Sequence, residues 1–174
     1  LARVSAITRQ TLLFYRQSSR PTAVSVAKLL DSAISLYGAR FSSAGISIER
    51  RYEDLASLLA YDGELRQVFV NVIGNAFDAT RNVGTRLLVR ERQVLNWKTG
   101  RKGIRITIAD TGLGMSPATL KQLFEPFFST KGDLGTGLGL WITKGIIDKH
   151  CGSIRVRSSQ APQNQGTVFA IFFP

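Results

Sequence analysis

The chain has a single cysteine, Cys151, and a single histidine, His150. That excludes a disulfide framework within the chain, and it excludes a zinc site assembled from Cys and His. A lone thiol fits a reducing compartment. No apolar run approaches the roughly 20 residues that cross a bilayer. No charged-then-apolar signal pattern opens the chain. These absences predict a cytoplasmic segment with no membrane contact of its own, whether or not a parent protein is membrane-anchored. Acidic residues are scarce too: 12 Asp and Glu stand against 23 Lys and Arg, for a net charge of +11. A basic excess suits nucleic acid, an anionic membrane or a phosphorylated ligand. The arginines are scattered, with no long basic run and no basic–aromatic alternation, so no nucleic-acid surface is expected. Internal repeats and low-complexity tracts are absent as well.

What is present is one domain's worth of chain. It has 174 residues, 44% hydrophobic and 20% charged, enough for a real core and a short appendage. It begins at Leu1 and not at Met, so it reads as a piece of a longer protein. Residues 1–17 have broadly helical apolar spacing that stops at "SSRP". A second amphipathic helix is predicted over about 24–41, ended by Gly45. "ISIERRYE" alternates apolar and polar residues and predicts a strand. "DGELRQVFVNVIGNAFDAT" predicts a helix with Leu65, Val68, Phe69, Val72, Ile73, Ala76 and Phe77 on its inner face and Asp62 as N-cap. "TRLLVRERQVLN" and "KGIRITIAD" predict antiparallel strands joined by the polar turn "WKTGRK". "GSIRVRSSQAPQNQGTVFAIFFP" predicts a closing hairpin. This order of elements predicts a two-layer α/β sandwich with a mixed, mostly antiparallel sheet.

Four stretches carry candidate chemistry. Asn71 and Asn75 lie one helical turn apart, with Asp78 close behind. Amide oxygens are neutral, hard ligands suited to Mg²⁺, which commonly keeps waters and substrate phosphates in its other positions. The alternative is two buried, hydrogen-bonded amides or a helix kink. "DTGLGM" follows the strand "IRITIA" directly, and Asp110 at a strand end could accept hydrogen bonds from an exocyclic amine such as that of adenine. Gly112 and Gly114 would allow close backbone approach, or serve only a turn that needs positive φ. In "FEPFFSTK" the aromatics Phe124, Phe127 and Phe128 would anchor a loop on the core, leaving Thr130 and Lys131 to meet phosphate. In "GTGLGLWITKGIIDKH", Gly135, Gly137 and Gly139 open a helix whose N-terminal N–H groups suit an anion. The phosphate-loop pattern GxxxxGK[ST] is absent, and no strand immediately precedes these glycines as a dinucleotide fingerprint requires.

In order and spacing these stretches resemble the ATP-binding domain shared by sensor histidine kinases, gyrase, mismatch-repair MutL and heat-shock chaperone ATPases (the Bergerat-type fold). The resemblance covers about 62–174. "NVIGNAFDAT" is similar to that family's N box, "DTGLGM" and "GTGLGL" to its two glycine boxes, and "FEPFFSTK" to the F box of the histidine-kinase branch. The resemblance implies ATP and Mg²⁺ as cofactors. It makes Asn75 the metal ligand and sets Asn71 against the metal–triphosphate group, these two being the catalytic pair. Asp110 would read the adenine amine, with Gly112 and Gly114 in the same pocket. Gly135, Thr136, Gly137, Leu138 and Gly139 would face the phosphates at the end of a lid over about 115–134 that includes Thr130 and Lys131. Asp78 would also border the nucleotide, at a position where many such kinases carry a basic residue, leaving Arg81 to supply the charge.

Hydrolysing relatives place Glu at position 71. An amide cannot take a proton from water, so Asn71 implies slow hydrolysis. A phosphoacceptor His with its acidic neighbour is absent, and His150 is expected to be structural, with Cys151 a buried small side chain. The resemblance therefore implies a histidine-kinase fragment: residues 1–20 the tail of a dimerisation helix and linker, and 21–174 the catalytic domain. It would transfer the ATP γ-phosphoryl group to a His on a hairpin outside this sequence, and a response-regulator receiver domain would act downstream. The fragment is expected to be a monomer and its parent a homodimer. Competing readings are an ATPase switch of the gyrase/MutL branch, a pseudokinase that no longer holds nucleotide, and a serine kinase of the anti-sigma type.

Overall fold

The computed structural model describes residues 20–53, 57–96, 100–132 and 135–174. The predicted helix over 1–17 and most of the "WKTGRK" turn lie outside the described residues. Strand β1 (Thr22–Val24) leads into helix α1 (Val26–Ser43), then β2 (Ser47–Arg51), β3 (Leu58–Ala60) and helix α2 (Asp62–Thr80). The long strands β4 (Arg86–Asn96) and β5 (Arg101–Asp110) follow, then the short helix α3 (Pro117–Gln122) and helix α4 (Gly139–Lys149). Strand β6 (Ser153–Ser159), a 3₁₀ turn (Pro162–Asn164) and β7 (Gly166–Phe173) close the chain. The main sheet runs β2-β4-β5-β7-β6; β2 pairs parallel with β4 and all other pairs are antiparallel. β1 and β3 form a separate antiparallel ribbon. This is the expected two-layer α/β sandwich with a mixed, mostly antiparallel sheet.

Helix α1 starts where Ser25 Oγ accepts the Lys28 N–H, and it ends before Gly45, whose φ of +67° suits a residue without a Cβ. Its stripe Leu29, Leu30, Ala33, Ile34 and Phe41 is buried. All seven residues predicted for the inner face of α2 are buried. The predicted cap is corrected: Tyr61 is the N-cap and makes no side-chain cap bond, while Asp62 is the first helical residue and accepts from Arg66 Nη2 at 3.2 Å. Asp62 and Glu64 in this first turn complement the positive end of the helix dipole.

Strand β5 fixes the register of everything that follows. Ile104, Ile106 and Ile108 are buried under the helices, with period two. Asp110, the last strand residue, continues that phase and faces the helical layer, not the far side of the sheet. β1, β3 and α3 were not legible beforehand. Three-residue strands are too short to show alternation, and α3 buries none of its residues, so it carries no apolar stripe.

Candidate functional site

The floor of the site is Asp110. Only 7% of it is exposed. Its Oδ1 accepts the Gly112 N–H at 2.9 Å, and the Thr167 backbone N–H also serves the carboxylate. Burial outweighs both bonds and pushes the carboxyl up to about 6. The turn after β5 is pressed against the end of α2: Leu113 N–H donates to the Ala79 carbonyl at 3.1 Å. A Cβ on Gly112 would stand 2.5 Å from that same oxygen, so glycine is required by the contact. Gly114 has φ +69°, and a Cβ there would overlap the Ser159 carbonyl. The next residue, Met115, donates its N–H to Ser158 Oγ at 2.8 Å. The first glycine stretch is thus wedged between α2 and the β6–β7 hairpin.

The polar edge of α2 supplies the second surface. Asn71 Nδ2 donates to the Gly139 carbonyl at 3.0 Å and to Thr143 Oγ1 at 3.3 Å. It braces α2 on the first turn of α4. Asn75 Oδ1 accepts from Lys131 Nζ at 2.8 Å, and the same ammonium lies 2.7 Å from Asp78 Oδ2. Asn71 and Asn75 therefore have different partners, one on a helix and one on the loop.

Residues 124–132 and 135–139 make the opposite wall. A Cβ on Gly135 would overlap Ser129 Oγ, and one on Gly137 (φ +70°) would overlap the Phe127 backbone. The glycines let two loop segments lie in contact. Asp133 and Leu134 lie outside the described residues. Phe127 does not anchor the loop as expected: it is 72% exposed and adopts φ +65°. Leu123 is the buried residue here, with Phe124 partly buried against the core and Phe128 lining the cavity.

These surfaces enclose a cavity of about 680 Å³. It gathers Asn71, Asn75, Asp78 and Asp110 with Gly114, Thr130, Lys131, Gly135, Thr136, Gly137 and Gly139. Gly112 and Leu138 stand just outside the lining. Gly112 shapes the Asp110 turn, and Leu138 is the N-cap of α4, its N–H 3.4 Å from Thr136 Oγ1. Arg81 lines the cavity, as do two residues that sequence reasoning missed, Tyr37 and Arg40 of α1. The Arg40 guanidinium lies 4.4 Å from the Phe77 ring centroid. Nothing local marks these two; only the packing of α1 on α2 brings them here.

Among the described residues no cluster of three or more His, Cys, Asp or Glu side chains could hold a metal ion. Asn75 nevertheless offers a hard amide oxygen that already accepts a cationic group, so its chemistry fits Mg²⁺ with the remaining positions left to water and phosphate. His150 is structural: its Nδ1 is 2.8 Å from the Ile146 carbonyl, and its Nε2 accepts the Tyr61 N–H at 3.3 Å. Beside it the buried Glu64 holds Lys149 Nζ at 2.5 Å. Cys151 is not buried as expected. It is exposed and takes φ +55° just past the end of α4.

With this geometry in place, the chain identifies itself at the level of a family. Residues 61–174 match the histidine kinase-, DNA gyrase B-, and HSP90-like ATPase family, and the chain belongs to it. Among curated proteins it is 31% identical over 178 residues to sporulation kinase A of Bacillus subtilis, covering 100% of this chain and 27% of that protein. It is 37% identical over 122 residues to the sensor histidine kinase ZraS of Salmonella typhi, covering 70% of this chain and 24% of that protein. Among solved structures it resembles full-length ShkA in complex with AMPPNP, with a TM-score of 0.74, 29% identity, and coverage of 88% of this chain and 31% of that one. The chain thus spans only about a quarter of the length of these curated relatives. No helix among the described residues is long and apolar enough to cross a membrane.

Proposed function

We propose that this chain is the ATP-binding catalytic domain of a sensor histidine kinase, residues 21–174, with 1–20 the tail of a dimerisation helix and linker. The observation that carries this reading is the convergence on one cavity of a buried carboxylate at a strand end, two amides on α2 and two glycine-gated loops. Asp110 accepts the exocyclic amine of adenine in its ionised form. The α2 edge and the loop wall hold the triphosphate between them, with Thr130, Lys131 and the backbone of 135–139 turned to its oxygens. Asn75 would hold Mg²⁺, which when bound would neutralise charge on the phosphates and help orient the γ-phosphoryl group for in-line transfer.

Asn71 is an amide whose N–H groups are engaged with α4. This amide cannot take a proton from water, which favours transfer to an incoming His over hydrolysis. The acceptor is a His on the hairpin of the parent kinase, and a receiver domain takes the phosphoryl group next. In the parent a homodimer brings hairpin and catalytic domain together. The AMPPNP bound to ShkA supports a nucleotide of this class.

The test is calorimetric titration with AMPPNP, with and without Mg²⁺, on the wild type and Asn75→Ala. Mg²⁺-dependent binding in the wild type that is lost in the variant is the expected result. No binding by the wild type would sink the reading. Steady-state ATP turnover at the rate of a dedicated ATPase would redirect it to the gyrase/MutL branch.

A further inference from the structure

The oxygen that the proposed function assigns to the metal is already held by a cation of the chain itself. Lys131 Nζ sits 2.8 Å from Asn75 Oδ1 and 2.7 Å from Asp78 Oδ2. The lysine comes from the loop between α3 and α4, 56 residues further along the chain. Its own N–H is bound to Ser129 Oγ at 3.1 Å, which fixes the direction from which the side chain approaches. One amide oxygen cannot bond an ammonium and a divalent ion at the same time, because two cations at such a distance repel strongly. The ammonium therefore occupies the place where a metal would have to bind.

Resting on the nucleotide reading above, we propose that Lys131 is a built-in surrogate for the metal: with no metal present its ammonium holds the Asn75 oxygen, Asp78 parks it there, and entry of a metal–nucleotide complex must evict it. The arrangement gives Asp78 a role that a basic residue could not perform. It ties the loop to α2 through the Lys131 side chain. The tether is weak by design. Lys131 is 38% exposed and Asp78 32%, and ion pairs of that exposure contribute little net stability. The evicted lysine is then free to meet phosphate oxygens, so one residue serves the empty and the filled site in turn.

Binding of AMPPNP to the full chain, with and without Mg²⁺, tests this in Lys131→Met and Asp78→Asn. Without metal, Lys131 supplies the cation bonded to Asn75, so Lys131→Met should weaken metal-free binding by about tenfold or more, as for loss of a charge-assisted bond. Binding with Mg²⁺ should change far less, because loss of a phosphate contact is offset by loss of the competitor. Equal weakening under both conditions would overturn the proposal, since Lys131 would then be a plain phosphate contact. Asp78→Asn should tighten Mg²⁺-dependent binding by up to about fivefold, the scale of an exposed ion pair, and only while Lys131 is present. Weaker Mg²⁺-dependent binding would overturn it and make Asp78 a metal ligand.

Hydrogen exchange on the ligand-free chain provides a readout that needs no nucleotide. Both variants should speed exchange across residues 115–132 and leave α2 unchanged. Unchanged exchange in both would remove the tether. If the wild type binds no nucleotide, the proposed function fails, and this exchange experiment still decides whether Lys131 is held where the structure puts it.

Discussion

The wall made by α2 and the end of β5 is part of the core, while the wall made by residues 124–132 and 135–139 is not. On the first, Val72, Ile73 and Ala76 are buried beside Asn71 and Asn75, and Asp110 ends a strand paired on both sides, with β4 and with β7. On the second, Phe127 points into solvent in a left-handed conformation, and glycines permit close backbone approach where side chains would overlap. Moving the first wall would disrupt buried packing and paired strands. Among its described residues the second has fewer buried side chains, and segments with fewer buried contacts open at lower cost. The residues proposed to read the base and hold the metal thus sit on the rigid side, and those proposed to close over phosphate sit on the yielding side. A site that must admit a ligand and then enclose it needs that division.

Four substitutions break or sharpen the contrast. Ile73→Ala removes a fully buried side chain from under the rigid wall and should cost about 2–5 kcal/mol of folding stability in urea titration. Its effect on nucleotide affinity should follow only from the fraction unfolded.

Asp110→Asn acts on the same wall without a cavity. It should cost about 1.5–3 kcal/mol of nucleotide binding, the range for a hydrogen bond to a charged group. The wild-type group also predicts a pH profile. Its folded value of about 6 lies above the ordinary 3.8, so the group's contribution to stability is fully present below about 3.8 and is lost as pH rises through about 6. At neutral pH the ionised carboxylate destabilises the empty protein. Asp110→Asn should therefore raise the melting temperature at pH 7 and leave it unchanged near pH 3. Wild-type affinity should fall about tenfold between pH 7 and pH 5 as the carboxylate is protonated. An affinity flat over that range would remove Asp110 from the base contact.

Gly137→Ala tests the yielding wall. The left-handed φ costs a Cβ-bearing residue about 1–2 kcal/mol, and the Cβ would overlap the Phe127 backbone, so the loop must shift. Nucleotide binding should weaken, and the melting temperature should fall by less than in Ile73→Ala. A drop as large as that of Ile73→Ala would mean that the two walls are one cooperative unit. Phe127→Gly should have the smallest effect. It relieves the left-handed strain at Phe127 but adds freedom to the unfolded chain, for a net gain of less than about 1 kcal/mol in thermal unfolding.

Much of this was legible along the chain, for a physical reason. Helix α2 announces its buried face through the spacing of Leu65 to Phe77, and that same spacing sets Asn71 and Asn75 on its polar edge. Strand β5 announces Asp110 through the period of Ile104, Ile106 and Ile108. The glycines mark close approaches because no other residue type tolerates them. Such signals are local: residue identity and spacing already carry them. Tertiary structure alone decided the rest. Tyr37 and Arg40 reach the cavity because α1 packs on α2. Phe127 is exposed although an aromatic run there predicts an anchor. Cys151 is exposed because the chain turns left-handed after α4. Lys131 meets Asn75 and Asp78 only when the loop folds back across α2. The distance between Lys131 and Asn75 along the chain carries no signal, and an exposed ion pair leaves no periodic mark, so that contact exists only once the whole domain is assembled.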